Sequence, residues 1–226
     1  MKNYEVQYNL YIGINALVAN SINTILMINS HNETVSQVSF LDKLRLSTSP
    51  LHKQLESVPL SQIVVSPQIT VQKYAEYLLV MECVIRDVEA KVYPVISNFI
   101  SDIDQRKKLS WIQDDLEVLG FSVLNEATAF DADFEVPFAL GILYVLEGSS
   151  LGGRVILKNI EKQLGFNAER GAKYFSGYKE NTGSLWKSFL SEMVQYEQDH
   201  DCSNAIIEGA NFAFEIIREQ FERGNR

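Results

Sequence analysis

The feature that most constrains this chain is Gly141-Ile-Leu-Tyr-Val-Leu-Glu-Gly148-Ser-Ser-Leu-Gly152-Gly153-Arg154, with four glycines in the thirteen positions from Gly141 to Gly153. Pro137 opens the surrounding run, which is apolar and helical in period as far as Leu164, and Gly165 closes it. Each glycine inside a helix costs roughly 0.5–1 kcal/mol relative to alanine. Something must offset that loss. One offset is helix packing through Gly148-x-x-x-Gly152, although this accounts poorly for the adjacent pair Gly152-Gly153, which faces two directions. The other is a bent helix laid over a large flat ligand, which accounts for the whole set. A phosphate loop fits badly, because no strand precedes the glycines and no Gly-Lys-Ser/Thr ending follows.

The remainder of the chain reads as helical from Phe40 onward. Phe40, Leu41, Leu44, Leu51 and Leu55 follow helix spacing, with Pro50 a kink or restart, and Pro59 and Pro67 bracket a loop. Thr70 caps a helix that Pro94 stops near Tyr93. Another helix spans about 103–119 and ends at Gly120, before an acidic loop at 121–135. Gly171, Gly177 and Gly183 punctuate the segment after the glycine helix. Thr182 or Ser184 caps a helix to about Gln198, and a last helix covers about 203–223. No strand pattern, repeat or heptad run is visible after residue 40. The expected fold class is all-α, one compact domain of about six to eight helices over 39–226.

Residues 1–38 differ in texture, with seven asparagines and three charged residues. They read as an N-terminal appendage, either loosely packed or preceding a natural start at Met27. Asn15, Asn20 and Asn23 break its most apolar stretch, so neither a membrane span nor a secretory signal is expected. The net charge of −9 argues against nonspecific nucleic-acid binding, and two cysteines, Cys83 and Cys202, suit a reducing cytoplasm. Against that acidity, residues 151–190 hold seven basic groups and three acidic ones. This suits an anionic ligand, an acidic redox partner or simply a solvated face.

Of three histidines, His31 lies in the appendage. His200 makes one Glu197-x-x-His200 spacing, where di-iron bundles use two such motifs with further glutamates. A charge partner at a helix C-terminus is the plainer reading. His52 has apolar neighbours and Glu56 one turn on, the spacing by which a carboxylate orients a metal-ligating imidazole. A His–Glu pair of this kind is also common on solvated helix surfaces.

Taken together, Leu44-Arg-Leu-Ser-Thr-Ser-Pro-Leu-His52-Lys-Gln-Leu-Glu56, then Tyr144-Val-Leu-Glu-Gly-Ser-Ser-Leu-Gly-Gly153, then Lys173-Tyr-Phe-Ser-Gly-Tyr-Lys-Glu-Asn-Thr-Gly-Ser-Leu-Trp-Lys187 resemble the heme oxygenases. The likeness is to the bacterial, biliverdin-producing branch that often accompanies bacteriophytochromes, and it covers about residues 40–223. It implies heme, as substrate and cofactor, between a proximal and a kinked distal helix. It implies His52 as the iron ligand and Glu56 as its hydrogen-bond partner. Gly148, Ser149, Gly152 and Gly153 would form the distal stretch against the porphyrin and O2. Arg45 and Lys187 would face heme propionates, Tyr144 would lie near the distal pocket, and Phe212 and Phe214 would be wall residues. Many relatives place an aspartate after the first distal glycine to order a proton-delivering water network. Here that position is Ser149, a hydroxyl without charge. The chain has no dinucleotide or flavin fingerprint, so the resemblance implies an external electron donor such as a ferredoxin or flavoprotein reductase. It leaves a bacteriophytochrome as a recipient of product. A heme or bilin carrier that does not turn over, and a di-iron oxidase of similar architecture, are the alternatives.

Overall fold

The computed structural model describes residues 39–123 and 128–224. The reading of residues 1–38 as an appendage lies outside the described residues, as does His31. Every regular element described is helical, and β pairing is confined to isolated bridges from Asn167 to Arg170 and Gly171.

Helix α1 is Phe40–Ser57, started by Ser39, whose hydroxyl accepts from the Asp42 amide at 3.2 Å. Pro50 does not restart it. The carbonyl that loses a partner there belongs to Leu46, which is 75% exposed, so water can replace the missing amide. The expected loop between Pro59 and Pro67 contains a short helix, α2 (Pro59–Ile63), because proline at the first helical position has no amide to waste. Thr70 caps α3 (Val71–Asp87) as expected. Pro94 does not stop that rod. A π-turn at Val88–Val92 widens the ring so that the Tyr93 amide reaches the Val88 carbonyl, and α4 (Tyr93–Ile96) carries Pro94 near its start.

The single helix expected over 103–119 is split into a 3₁₀ turn, Ile103–Arg106, and α5, Leu109–Leu119. Glu89 makes the break, its Oε1 accepting from the Lys108 and Leu109 amides at 2.6 and 2.8 Å as a remote cap. Gly120 ends α5 at φ 79°, as a left-handed residue must. Helix α6 is Val136–Leu164, unbroken through Gly148–Gly153 and closed by Gly165. By length and composition α6 could cross a membrane, yet 44% of its most apolar window is buried by the rest of the protein. Helix α7 is Lys173–Ser176, with the Asp115 carboxylate accepting from the Lys173 and Tyr174 amides at 2.9 and 2.8 Å.

Helix α8 is Thr182–His200 and α9 is Ser203–Gly224. Neither Thr182 nor Ser184 caps α8. Both hydroxyls donate backward, to Lys179 and Asn181 carbonyls at 2.9 Å, because α8 continues from a 3₁₀ turn at Lys179–Asn181. Gly183 accordingly lies within α8.

Helix α9 is the spine. It packs along both α6 and α1, while α1 and α6 scarcely approach each other at the backbone. The α6–α9 crossing is limited only by main chain. A Cβ on Gly141 would fall 2.0 Å from the Ile206 carbonyl oxygen, and one on Gly209 would fall 2.0 Å from that of Phe138. Side chains at either position would drive the two longest helices apart. Asn159 of α6 donates to the Val64 and Ser66 carbonyls at 3.0 and 2.9 Å, fixing the connection between α2 and α3.

Candidate functional site: the facing surfaces of α1 and α6

Arg45, His52 and Glu56 lie on one face of α1, at intervals of seven and four residues. His52 Nε2 is 3.4 Å from Glu56 Oε1, and its ring lies 5.3 Å from that of Phe214 on α9. The pair is aligned but not closed as a hydrogen bond. Glu56 Oε1 is buried and has no hydrogen-bond partner among the described residues. A buried acceptor left unpaired costs about 1–3 kcal/mol, which an imidazole N–H turned toward it would recover. The His52 side chain is 38% exposed, which leaves the imidazole accessible.

On α6, Tyr144 and Gly148 are one turn apart. The Tyr144 phenol is pushed above its ordinary value by burial, and the Arg45 guanidinium beside it acts in the opposite direction. Arg45 of α1 thus stands near Tyr144 of α6, while its Nη1 lies 3.4 Å from Asp42 Oδ1. The Tyr144 ring also lies 5.5 Å from that of Trp186 on α8, and a Cβ on Gly148 would meet this indole at 3.6 Å, an ordinary contact. Ser149 is exposed, and its hydroxyl donates to the Leu146 carbonyl at 2.8 Å. Gly152 is half-buried.

Other expected members are not brought to this place. The resemblance groups Gly153 with the ligand-facing glycines, but the side chain it lacks would lie 2.9 Å from the Phe175 carbonyl oxygen. It serves the approach of α7, as Gly141 serves α9. Phe212 joins Phe130, Phe134 and Phe138 in a separate aromatic cluster, leaving Phe214 beside His52. Lys187 is exposed and makes no ion pair among the described residues. Part of the basic excess at 151–190 is already engaged, Lys173 with Asp114 at 2.8 Å and Lys179 with Glu169 at 3.0 Å. Glu197 and His200 do not converge: Glu197 accepts from Ser203, and His200 stacks on Tyr196 at 4.0 Å. Among the described residues no three His, Cys, Asp or Glu side chains gather as a metal site. A cleft of about 520 Å³ lined by Lys91, Val95, Asp131 and Phe134 contains none of the residues named for the site.

Beneath the distal turn lies a charged network that sequence reasoning missed. Glu147, 2% exposed, accepts from Arg106 Nη1 (2.6 Å), Lys108 Nζ (3.0 Å) and the Tyr178 hydroxyl (2.7 Å). Burial alone would raise the Glu147 carboxyl, but Lys108, Arg106 and these hydrogen bonds outweigh it and hold the group below its ordinary value. Arg106 also pairs with Asp102 at 2.6 Å and donates to the Leu185 carbonyl at 2.9 Å. Lys108 reaches Ser150 Oγ at 2.7 Å. The available signal was a charged Glu147 inside an apolar run, which demands a buried partner.

The arrangement is thus two helices separated at the backbone on a common spine, one offering an imidazole with a carboxylate one turn on and the other a small-residue turn. The heme oxygenase family pattern matches residues 38–223, and the chain belongs to that family. Heme oxygenase PigA of Pseudomonas aeruginosa is 25% identical over 190 residues, 80% of this chain and 90% of that protein. Solved structures share the fold. The NO- and CO-bound heme oxygenase of Neisseria meningitidis aligns with a TM-score of 0.64 at 22% identity, covering 82% of this chain and 94% of that one. Heme oxygenase from Leptospira interrogans gives 0.68 at 15% identity, covering 82% and 99%. The protein is an enzyme of heme oxygenase type, a family that binds heme.

Proposed function

We propose that this chain opens heme to biliverdin, with release of carbon monoxide and ferrous iron, using O2 and electrons from a separate donor. The observation that carries the reading is the geometry of α1 and α6. They are separated at the backbone and both packed on α9, with Arg45 of α1 near Tyr144 of α6 and His52 3.4 Å from Glu56.

Heme is a broad apolar plate with two carboxylates. Apolar walls and a cationic rim suit it. Phe214 supplies wall beside His52, and Arg45 supplies a cation at the rim next to Tyr144. His52 would hold the iron from the proximal side, and Glu56 would take its second N–H and fix the tautomer. When bound, heme supplies the redox-active iron and the carbon that is oxidised. The turn from Gly148 through Gly152 would lie along the other face, presenting the small residues Gly148, Ser149 and Gly152. Ser149 can accept a hydrogen bond but cannot supply charge, so proton delivery would rest on water ordered by its oxygen and by main-chain groups. The electron donor would be a ferredoxin or flavoprotein reductase. Cytoplasmic pigment supply to a bacteriophytochrome is one use of the product.

A carrier that binds heme or bilin without turnover is the second reading. It is favoured by one observation: the Ser149 proton is already committed to the Leu146 carbonyl. An absorption spectrum with one equivalent of hemin, before and after adding ferredoxin and its reductase in air, decides between them. The expected result is a histidine-ligated Soret band that bleaches into a biliverdin band. A Soret band stable to reductant and air would leave the carrier. No Soret shift would remove both.

A further inference from the structure

The buried network under α6 is poorly explained as a source of stability. Exchanging a buried ion pair for apolar residues of similar size is often neutral or stabilising, because desolvation offsets the attraction. Its placement is more informative. Lys108 holds Glu147 and Ser150, three residues apart, so it grips the single turn that contains Gly148 and Ser149. Arg106 ties Glu147 to the Leu185 carbonyl, next to Trp186, whose ring lies against Gly148. Tyr178 closes the set from a third segment. The opposite side of this turn has only small residues at 148, 149 and 152. Apart from the Trp186 ring against Gly148, such a surface has little to interlock with, and one residue of slippage rotates a helix by about 100°. Rotation of this turn must therefore be fixed from behind.

We propose that Glu147, Lys108 and Arg106 are positioning residues. They set the rotation and height of the Gly148–Ser149 turn, so that a flat macrocycle lying on it is seated in one orientation. This rests on the heme reading above.

The test uses the full chain carrying both Glu147→Gln and Lys108→Met, which removes one charge of each sign and leaves Arg106 paired with Asp102. Unliganded thermal unfolding, hemin titration and proton NMR of the ferric cyanide complex are compared with wild type. The expected result is a melting temperature and Soret band close to wild type, with the ratio of the two seatings of the macrocycle, related by turning it over, changed by about fivefold or more. Tyr178→Phe removes one hydrogen bond and no charge. It should shift the same ratio by about twofold, and it decides the matter if the double variant does not fold. An unchanged seating ratio in hemin-loaded variants would overturn the proposal. A wild type that takes up no hemin would instead remove the heme reading, and this inference with it.

Discussion

Two stretches of α6 use the same residue for opposite reasons. At Gly141, a methyl group would lie 2.0 Å from one main-chain oxygen and 2.6 Å from a main-chain nitrogen of α9. At Gly148, the nearest atom is the rim of Trp186 at 3.6 Å. The first glycine is demanded by another helix. The second is not demanded by its protein neighbours, yet it still carries the usual cost of glycine in a helix interior. A glycine-rich helix is therefore a composite signal, with packing at one end and open surface in the middle. Gly153, close against Phe175, belongs with the first kind although it adjoins the second.

The largest effect should come from the packing end. Gly141→Ala places its methyl inside backbone that cannot yield as a side chain would. The expected loss is about 3 kcal/mol, which for a chain of this length lowers Tm by about 6–12 °C. Gly209→Ala strains the same crossing, so the double variant should lose less than the sum of the two. Thermal unfolding of the three variants checks this, and a Gly141→Ala protein that melts with wild type would show that the crossing can open without penalty.

Helix positions were legible in the sequence wherever a local signal governed them. Thr70, Gly120 and Gly165 each did what their chemistry dictates, and the long α6 needed only its period and Pro137. The misreadings arose where a distant group took over. Pro94 is absorbed by a π-turn, and the break before α5 is made by Glu89 from the end of another helix. The pairing of His52 with Glu56 was readable because it is local. Which glycine faces which surface was not, since that depends on Ile206, Phe138 and Phe175, all far away in sequence. Within the Glu147 network only Asp102 and Arg106 stand at a helical spacing, and no spacing rule links them to 147, 178 and 185.

Next in size is the ligand side of the comparison. Because His52 is 38% exposed and contributes little to the core, His52→Ala should melt near wild type while losing turnover by about 100-fold or more. Some hemin should still bind through the apolar walls, with an altered ligand-field spectrum. An unaltered spectrum would assign the axial position to another residue.

Glu147 offers a test by pH. Its carboxyl is held below the ordinary value, so its contribution is present above the unfolded value of about 4.3 and is lost as pH falls through the lower folded value. Glu147→Gln should be clearly less stable than wild type at pH 7, with the gap narrowing below about pH 4. Urea unfolding at pH 7 and pH 3 measures it. A gap of equal size at both would mean that Glu147 is not ionised in the native protein.

The smallest effect is also the one that divides the two glycines most sharply. Gly148→Ala adds a methyl at ordinary contact distance from Trp186 and removes the flexibility of a helix-interior glycine from the unfolded chain. It should therefore stabilise the unliganded protein by up to about 1 kcal/mol, opposite in sign to Gly141→Ala. The same methyl would meet Trp186 at the edge of the surface offered to the macrocycle, so hemin affinity or the biliverdin isomer ratio should change despite the gain in stability. Calorimetry of the free protein and hemin titration of the same sample read the two effects independently. If Gly148→Ala were destabilised like Gly141→Ala and bound hemin as wild type does, Gly148 would be a packing glycine, and the open surface on α6 would have to begin further along, at Ser149 and Gly152.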